Sequence, residues 1–155
     1  MANPFPFTAG QILTAAQLNG IGEQLAYTPT MTVWTLGNGT ITGTYVRVQK
    51  MVAVTIRLTF GTTTVAAASP PVFTLPVNAS NAFEMQSGLN GAALDATAGG
   101  IYAISGLTHT VSTVSAATQA VNGTYIGAAQ GLTTTIPFIW TTSDTLTLSI
   151  VYQAA

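Results

Sequence analysis

Four carboxylates (Glu23, Glu84, Asp95 and Asp144), three cations (Arg47, Lys50 and Arg57) and one histidine, His109, are all this sequence offers for proton or metal chemistry. General acid–base catalysis needs two titratable groups held together with separated pKa values. Glu84 and Asp95 form the one candidate pair, because a hairpin turning at Asn90-Gly91 would set them opposite each other. Glu23 falls on the polar side of a short helical pattern. Asp144 follows Ser143 at a turn, where aspartate is favoured for bonding its own backbone. Any nucleophilic serine would need His109 as its base, and no Gly-x-Ser-x-Gly elbow occurs. His109 shares a strand face with Leu107 and Val111 and reads as a core or interface residue. A zinc site needs several ligands of suitable type, but there is one histidine and no cysteine. Gly37-Asn38-Gly39 lacks the lysine and the following helix of a phosphate loop. The expectation is no catalytic residue, no metal, no cofactor and no enzyme.

Binding chemistry is equally sparse. Arg47, Lys50 and Arg57 fall within one predicted hairpin and read as solvated residues guarding a sheet edge. A net charge of −1 leaves no basic footprint for nucleic acid. Trp34, Tyr45, Tyr102, Tyr125 and Trp140 are aromatic and could stack on sugar rings, yet rings this large usually dominate a core. No apolar run approaches the ~20 residues of a spanning helix. The opening Met1 to Phe7 lacks the basic and apolar regions of a signal peptide. Neither a membrane nor nucleic acid is expected as a partner.

The elements that would position these residues follow from periodicity. Residues 1–13 read as an extended arm, since Pro4 and Pro6 push their predecessors out of the helical region. Thr14-Ala15-Ala16-Gln17 fits a capping box, and Leu13 with Leu18 has staple spacing. Leu18, Ile21 and Leu25 then recur at helical intervals, predicting a helix from Thr14 to about Leu25. From Met31 onward the period is two. Val52 to Phe60 alternates strictly, Thr40 to Val48 is its hairpin partner, and Leu146, Leu148 and Ile150 mark a last strand. Val72 to Leu75, a pair around Asn90-Gly91, and runs at 101–105, 107–114 and 121–126 complete the set. Residues 62–69 and 113–120 read as low-complexity loops or loosely specified edges. Strands this short and frequent predict an all-β antiparallel β-sandwich or jelly roll. Residues 27–155 form that body, preceded by the arm and short helix in 1–26.

Charged residues make up 5% of the chain, where an ordinary domain has ~25%. So little charge promotes association, which predicts a subunit whose surface is covered by others. The run Phe7-Thr8-Ala9-Gly10-Gln11-Ile12-Leu13-Thr14-Ala15-Ala16-Gln17-Leu18-Asn19 resembles the opening of structural proteins of tailed bacteriophages. Tyr27-Thr28-Pro29-Thr30, Gly39 to Tyr45, the Val52-to-Phe60 strand, Pro137 to Trp140, Asp144 to Ser149 and Tyr152 look like the β-module that follows it. One departure is Gln49, where the family tends to carry glycine in the first hairpin turn. The resemblance implies a virion part, often trimeric: a head decoration, a minor tail protein or a tail fibre. The expected function is a capsid decoration (cement) protein, a homotrimer on the capsid surface bound to the major capsid protein or neighbouring virion subunits. Phe5, Phe7, Ile12 and Leu13 of the arm, with the stripe Leu18, Ile21 and Leu25, would make the anchoring contacts. The alternative is a tail component whose β-loops and aromatics meet a host glycan.

Overall fold

A two-residue period gives a strand one dry face and one wet face. Strand β4 (Met51–Thr59) obeys this from end to end: Val52, Val54, Ile56 and Leu58 are buried, while Met51, Ala53, Thr55 and Arg57 are exposed. Strand β10 (Thr145–Gln153) repeats the pattern with Leu146, Leu148, Ile150 and Tyr152. The two run antiparallel with Leu148 opposite Ile56 and Ile150 opposite Val54. Inward side chains therefore meet in register, each contributing roughly 1.5–3 kcal/mol of burial.

The computed structural model describes residues 10, 12, 14–15, 21–81, 89–122 and 125–155, and these build an all-β protein. The other strands are β1 (Gln24–Tyr27), β2 (Met31–Thr32), β3 (Thr40–Val48), β5 (Val72–Thr74), β6 (Leu89–Asp95), β7 (Gly100–Thr110), β8 (Thr113–Asn122) and β9 (Tyr125–Gly131). All ten join one antiparallel sheet in the order β1-β3-β4-β10-β6-β7-β8-β5-β2, with β9 on β8. The two ends of this path, β1 and β2, are consecutive strands separated only by Thr28 to Thr30. So short a link spans at most about 14 Å, so the sheet must bend round to bring its ends together. It is curled into a half-barrel. Thr74 N donates to Thr30 O at 3.0 Å, and Thr30 N donates to Thr74 Oγ1 at 2.9 Å, tying the link to β5.

Several expectations need correction. Gln24 and Leu25, assigned by their spacing to the last turn of a helix, are strand residues paired with Val46 and Tyr45. The sheet therefore starts at Gln24, and the ladder to β3 overrides the weak periodicity of a stretch already interrupted by Gly20 and Gly22. Positions 16–20, where the remaining helical signal falls, lie outside the described residues. Asn90-Gly91 is not a turn: both sit inside β6, opposite Ser149 and Leu148. The predicted strand 107–114 straddles the turn at Val111-Ser112, and 121–126 takes in the end of β8 and the start of β9. Thr113 to Ala120, read as a loop or loose edge, belongs to β8, where Val114, Ser115, Ala116 and Ala117 are all buried. The three cations do share the β3–β4 hairpin, but Arg57 has strand partners on both sides, Thr42 and Thr147, so edge protection does not explain it. Arg47 lies one residue past the β1 ladder, and Lys50 is in the turn.

The β3–β4 turn carries backbone strain. Val48 pairs with Met51, so Gln49 and Lys50 form a two-residue turn, and Gln49 has φ 54°. Left-handed backbone is costly for any residue with a Cβ. Gln49→Gly is expected to raise unfolding free energy by roughly 0.5–1 kcal/mol, as measured by chemical denaturation.

The end of the half-barrel holding this turn is closed by residues 75–80. Leu75 N and Ala79 N donate to the Ser112 and Val111 carbonyls, Ser80 N to Gln153 O, and Ala155 N to Asn78 O. Tyr152 Oη donates to Val77 O at 2.7 Å. Burial raises the Tyr152 phenol to about 12 and also raises that of Tyr27, whose oxygen is buried with no partner among the described residues. An unfolded phenol ionises near ~10. Both groups therefore contribute stability that is complete below pH ~10 and lost as pH climbs toward and through the folded values. Melting temperature is expected to fall steeply across that window. Tyr152→Phe should cost about 1 kcal/mol at neutral pH through the lost bond and flatten the alkaline decline.

Candidate functional site

At the opposite end the loops are fastened by short polar side chains. Asn38 leaves a turn closed by Gly39 N donating to Leu36 O at 2.9 Å. Its Oδ1 accepts from Thr63 N and Thr63 Oγ1, both at 2.9 Å, and its Nδ2 donates to Thr62 Oγ1 at 2.9 Å. Thr64 Oγ1 donates to Leu36 O at 2.6 Å and accepts from Gly61 N at 2.9 Å. The β2–β3 and β4–β5 loops are thus held as one piece.

Asp144 does the same for the neighbouring loops. It has 0% solvent exposure. Oδ1 accepts from Ala96 N at 2.8 Å, and Oδ2 accepts from the amide and hydroxyl of Thr141. Its own carbonyl accepts from Phe60 N at 2.9 Å. One side chain therefore joins the β6–β7 turn to the β9–β10 loop, and its backbone holds the exit of β4. Asp95 Oδ1 accepts from the amides of Thr97 and Ala98 at 2.9 and 2.8 Å, shaping the β6–β7 turn. Both carboxylates act as backbone acceptors here. The expected Glu84–Asp95 opposition does not arise from an Asn90-Gly91 bend, and Glu84 lies outside the described residues.

Beneath these loops runs a chain of rings. Trp34 packs edge-on against Phe60 (5.8 Å) and Trp140 (5.3 Å), and Phe60 stacks on Trp140 at 5.0 Å. Phe138 continues it to Trp140 (4.5 Å) and Tyr102 (5.1 Å). Trp34 is only 3% exposed and donates Nε1 to Ser69 O at 2.8 Å. Trp140 is half-buried, with Nε1 on Thr133 O at 3.0 Å. Tyr45 sits apart at the other end, edge-on to Tyr27 at 5.8 Å. The five aromatics weighed as a sugar platform are therefore not one surface: Trp34 is core, and the side chain of Tyr125 lies outside the described residues. The side chain of His109 does too, although its backbone is in β7.

The outer face of the sheet has the composition of an interface. From β1 across β3, β4, β10 and β6 to β7, outward positions are threonine, serine, alanine, asparagine, glutamine and apolar residues. Among the described side chains, Arg57 is the one charged residue there. Met51 and Val151 are more than half exposed, and Ile101 is 74% exposed. Sequence reading missed this face because it is legible only once the register aligns six strands.

Of the seven residues expected to anchor a partner, Phe5, Phe7, Leu13 and Leu18 lie outside the described residues. Ile12 is 90% exposed. Ile21 is half-buried in a turn, and Leu25 is half-buried in β1 on the same face as Tyr45. Ile21 and Leu25 do not form a helical stripe. Among the described residues, no helix is long and apolar enough to cross a membrane. The chain matches no known protein family, no characterised protein and no solved structure.

Proposed function

We propose that this chain is a bacteriophage virion structural protein, a capsid decoration protein that binds and stabilises the head lattice as a homotrimer. The observation that carries the reading is the outer face, which spans six strands with a single charge, at Arg57, among the described side chains. A face left to water carries charge; this one is suited to being covered. The resemblance of residues 7–19 and of the segments after Tyr27 to phage structural proteins supplies the kind of assembly. The curled body is read as that family's jelly-roll-like module, with 1–13 as the arm reaching the lattice. Loops fastened by Asn38 and Asp144 supply a rigid end for repeated contacts.

Imaging of intact particles tests the reading directly, with copies expected on the head shell. Deleting residues 1–13 is expected to leave the β-body folded while abolishing binding to purified shells. Full occupancy by the truncated protein would overturn the role given to the arm. Copies found on the tail would replace the decoration reading with the tail component.

A further inference from the structure

Arg57 lies inside the outer face rather than at its rim, and its surroundings are hydroxyls. Across the ladders it stands opposite Thr42 on β3 and Thr147 on β10, and along β4 its outward neighbours are Thr55 and Thr59. The four diagonal positions are Thr40, Thr44, Thr145 and Ser149. Neighbours across strands are ~5 Å apart and those along a strand ~6.6 Å. Hydroxyl side chains therefore frame one guanidinium on every side.

Among the described residues this frame is nearly idle. Arg57 is exposed and has no ion-pair or hydrogen-bond partner there, and of the framing hydroxyls only that of Thr44 is engaged, accepting from Gln24 Nε2 at 3.1 Å. An arginine left in water needs no partner. Under a covering surface the same guanidinium loses its water, and an unpaired buried charge is strongly disfavoured. The covering surface must therefore bring one negative group to this point and stay uncharged around it. A carboxylate fits, because it takes two parallel N–H bonds from a guanidinium. Its remaining lone pairs then accept from the Thr42 and Thr147 hydroxyls. The face cannot cover itself, since its described side chains include no carboxylate. Asp144 is fully buried, Asp95 accepts from the amides of Thr97 and Ala98 in the β6–β7 turn, and Glu23 precedes β1, beyond its ladder. Two copies laid face to face would set Arg57 against a second Arg57 or against hydroxyls.

We infer that the outer face docks on a different virion protein, which presents a carboxylate to Arg57 within an otherwise uncharged surface. A single charge in a neutral contact fixes the register of the two surfaces, because only one placement pairs it. The inference names the partner chemistry for the covered face proposed above and rests on that reading. It holds equally for copies on the head or on the tail.

The test uses particles carrying the full-length Arg57→Lys chain, treated with a carbodiimide, which joins an amine to a carboxylate only where the two touch. Mass spectrometry is expected to find position 57 joined to an aspartate or glutamate of another virion protein. Arg57→Glu, at an exposed position without a described partner, should keep the melting temperature yet bind the purified shell or tail at least ~30-fold more weakly. Arg57→Gln should fall between it and the wild type. A join to another copy of this chain, or no join at position 57, would overturn the choice of partner. Arg57→Glu binding as tightly as the wild type would overturn the ion pair. In intact particles, acylation of position 57 by a water-soluble reagent would show an open face and overturn the docking. Arg57-dependent binding of polygalacturonate by such a face would put an acidic glycan in the partner's place. These results are separable from failure of the decoration reading: copies on the tail count against that reading alone, and particles without any copy remove the virion assignment and this docking together.

Discussion

Asp144→Ala is expected to lower unfolding free energy by about 2–5 kcal/mol. The carboxylate is fully enclosed and accepts from two backbone amides, Ala96 and Thr141, as well as a hydroxyl. Alanine leaves both part-buried amides without their acceptor, and an orphaned donor costs up to ~1–3 kcal/mol. A domain has only ~5–15 kcal/mol in total, so the effect is a large fraction of the whole. Asp144→Asn keeps one acceptor oxygen but turns an N–H toward a donor, and should fall between the two. Denaturant midpoints measure the loss, and hydrogen exchange should show the Ala96 and Thr141 amides losing protection first. A change below about 0.5 kcal/mol would mean that the loops hold together without the clasp.

Trp34→Ala should be comparably damaging, at ~3–5 kcal/mol for a large buried ring. It removes the ring that contacts both Phe60 and Trp140 and the donor to Ser69 O. The preceding residue, Val33, has φ 74°, a backbone cost of ~1–3 kcal/mol for a residue with a side chain; packing of Trp34 helps to hold it. Trp34→Phe should retain part of the packing and lose about half as much. The consequence for function is practical. Loss of glycan binding in Trp34→Ala would report unfolding rather than a sugar contact, so the tail reading needs a probe that leaves this ring in place.

Where the sequence was legible, contrast made it so. In β4 and β10 large aliphatic residues alternate with small polar ones; β4 is placed to within a residue, and β10 from its first residue to within two of its last. β8 was missed because it has no such contrast: Thr113 to Asn122 is mostly alanine, serine and threonine. The structure gives the reason. Ala116 faces the core, while on the other side Ser115 donates to Pro71 O at 2.9 Å and Ala117 is fully buried. A strand covered on both faces at close range needs small side chains, and these look like a loop in one dimension. Leu25 failed for a different reason, because spacing to Leu18 and Ile21 cannot register that β3 offers a ladder. Asp144 was rightly placed at a turn by its residue type, but its bond to Ala96, 48 positions away, was beyond local reading. The shallow depression of the outer face among Thr44, Ala53, Thr55 and Ser149 was wholly illegible, because those residues come from three separate strands.

The position of β10 between β4 and β6 has a consequence for how the molecule comes into being. This strand leaves the ribosome after the other nine, yet it is the seam joining β1-β3-β4 to β6-β7-β8. A nascent polypeptide can form either flank early, but it cannot zip them together until β10 has emerged. Until then the edges of β4 and β6 that β10 pairs stand open, and open edges are where incomplete chains stick to one another.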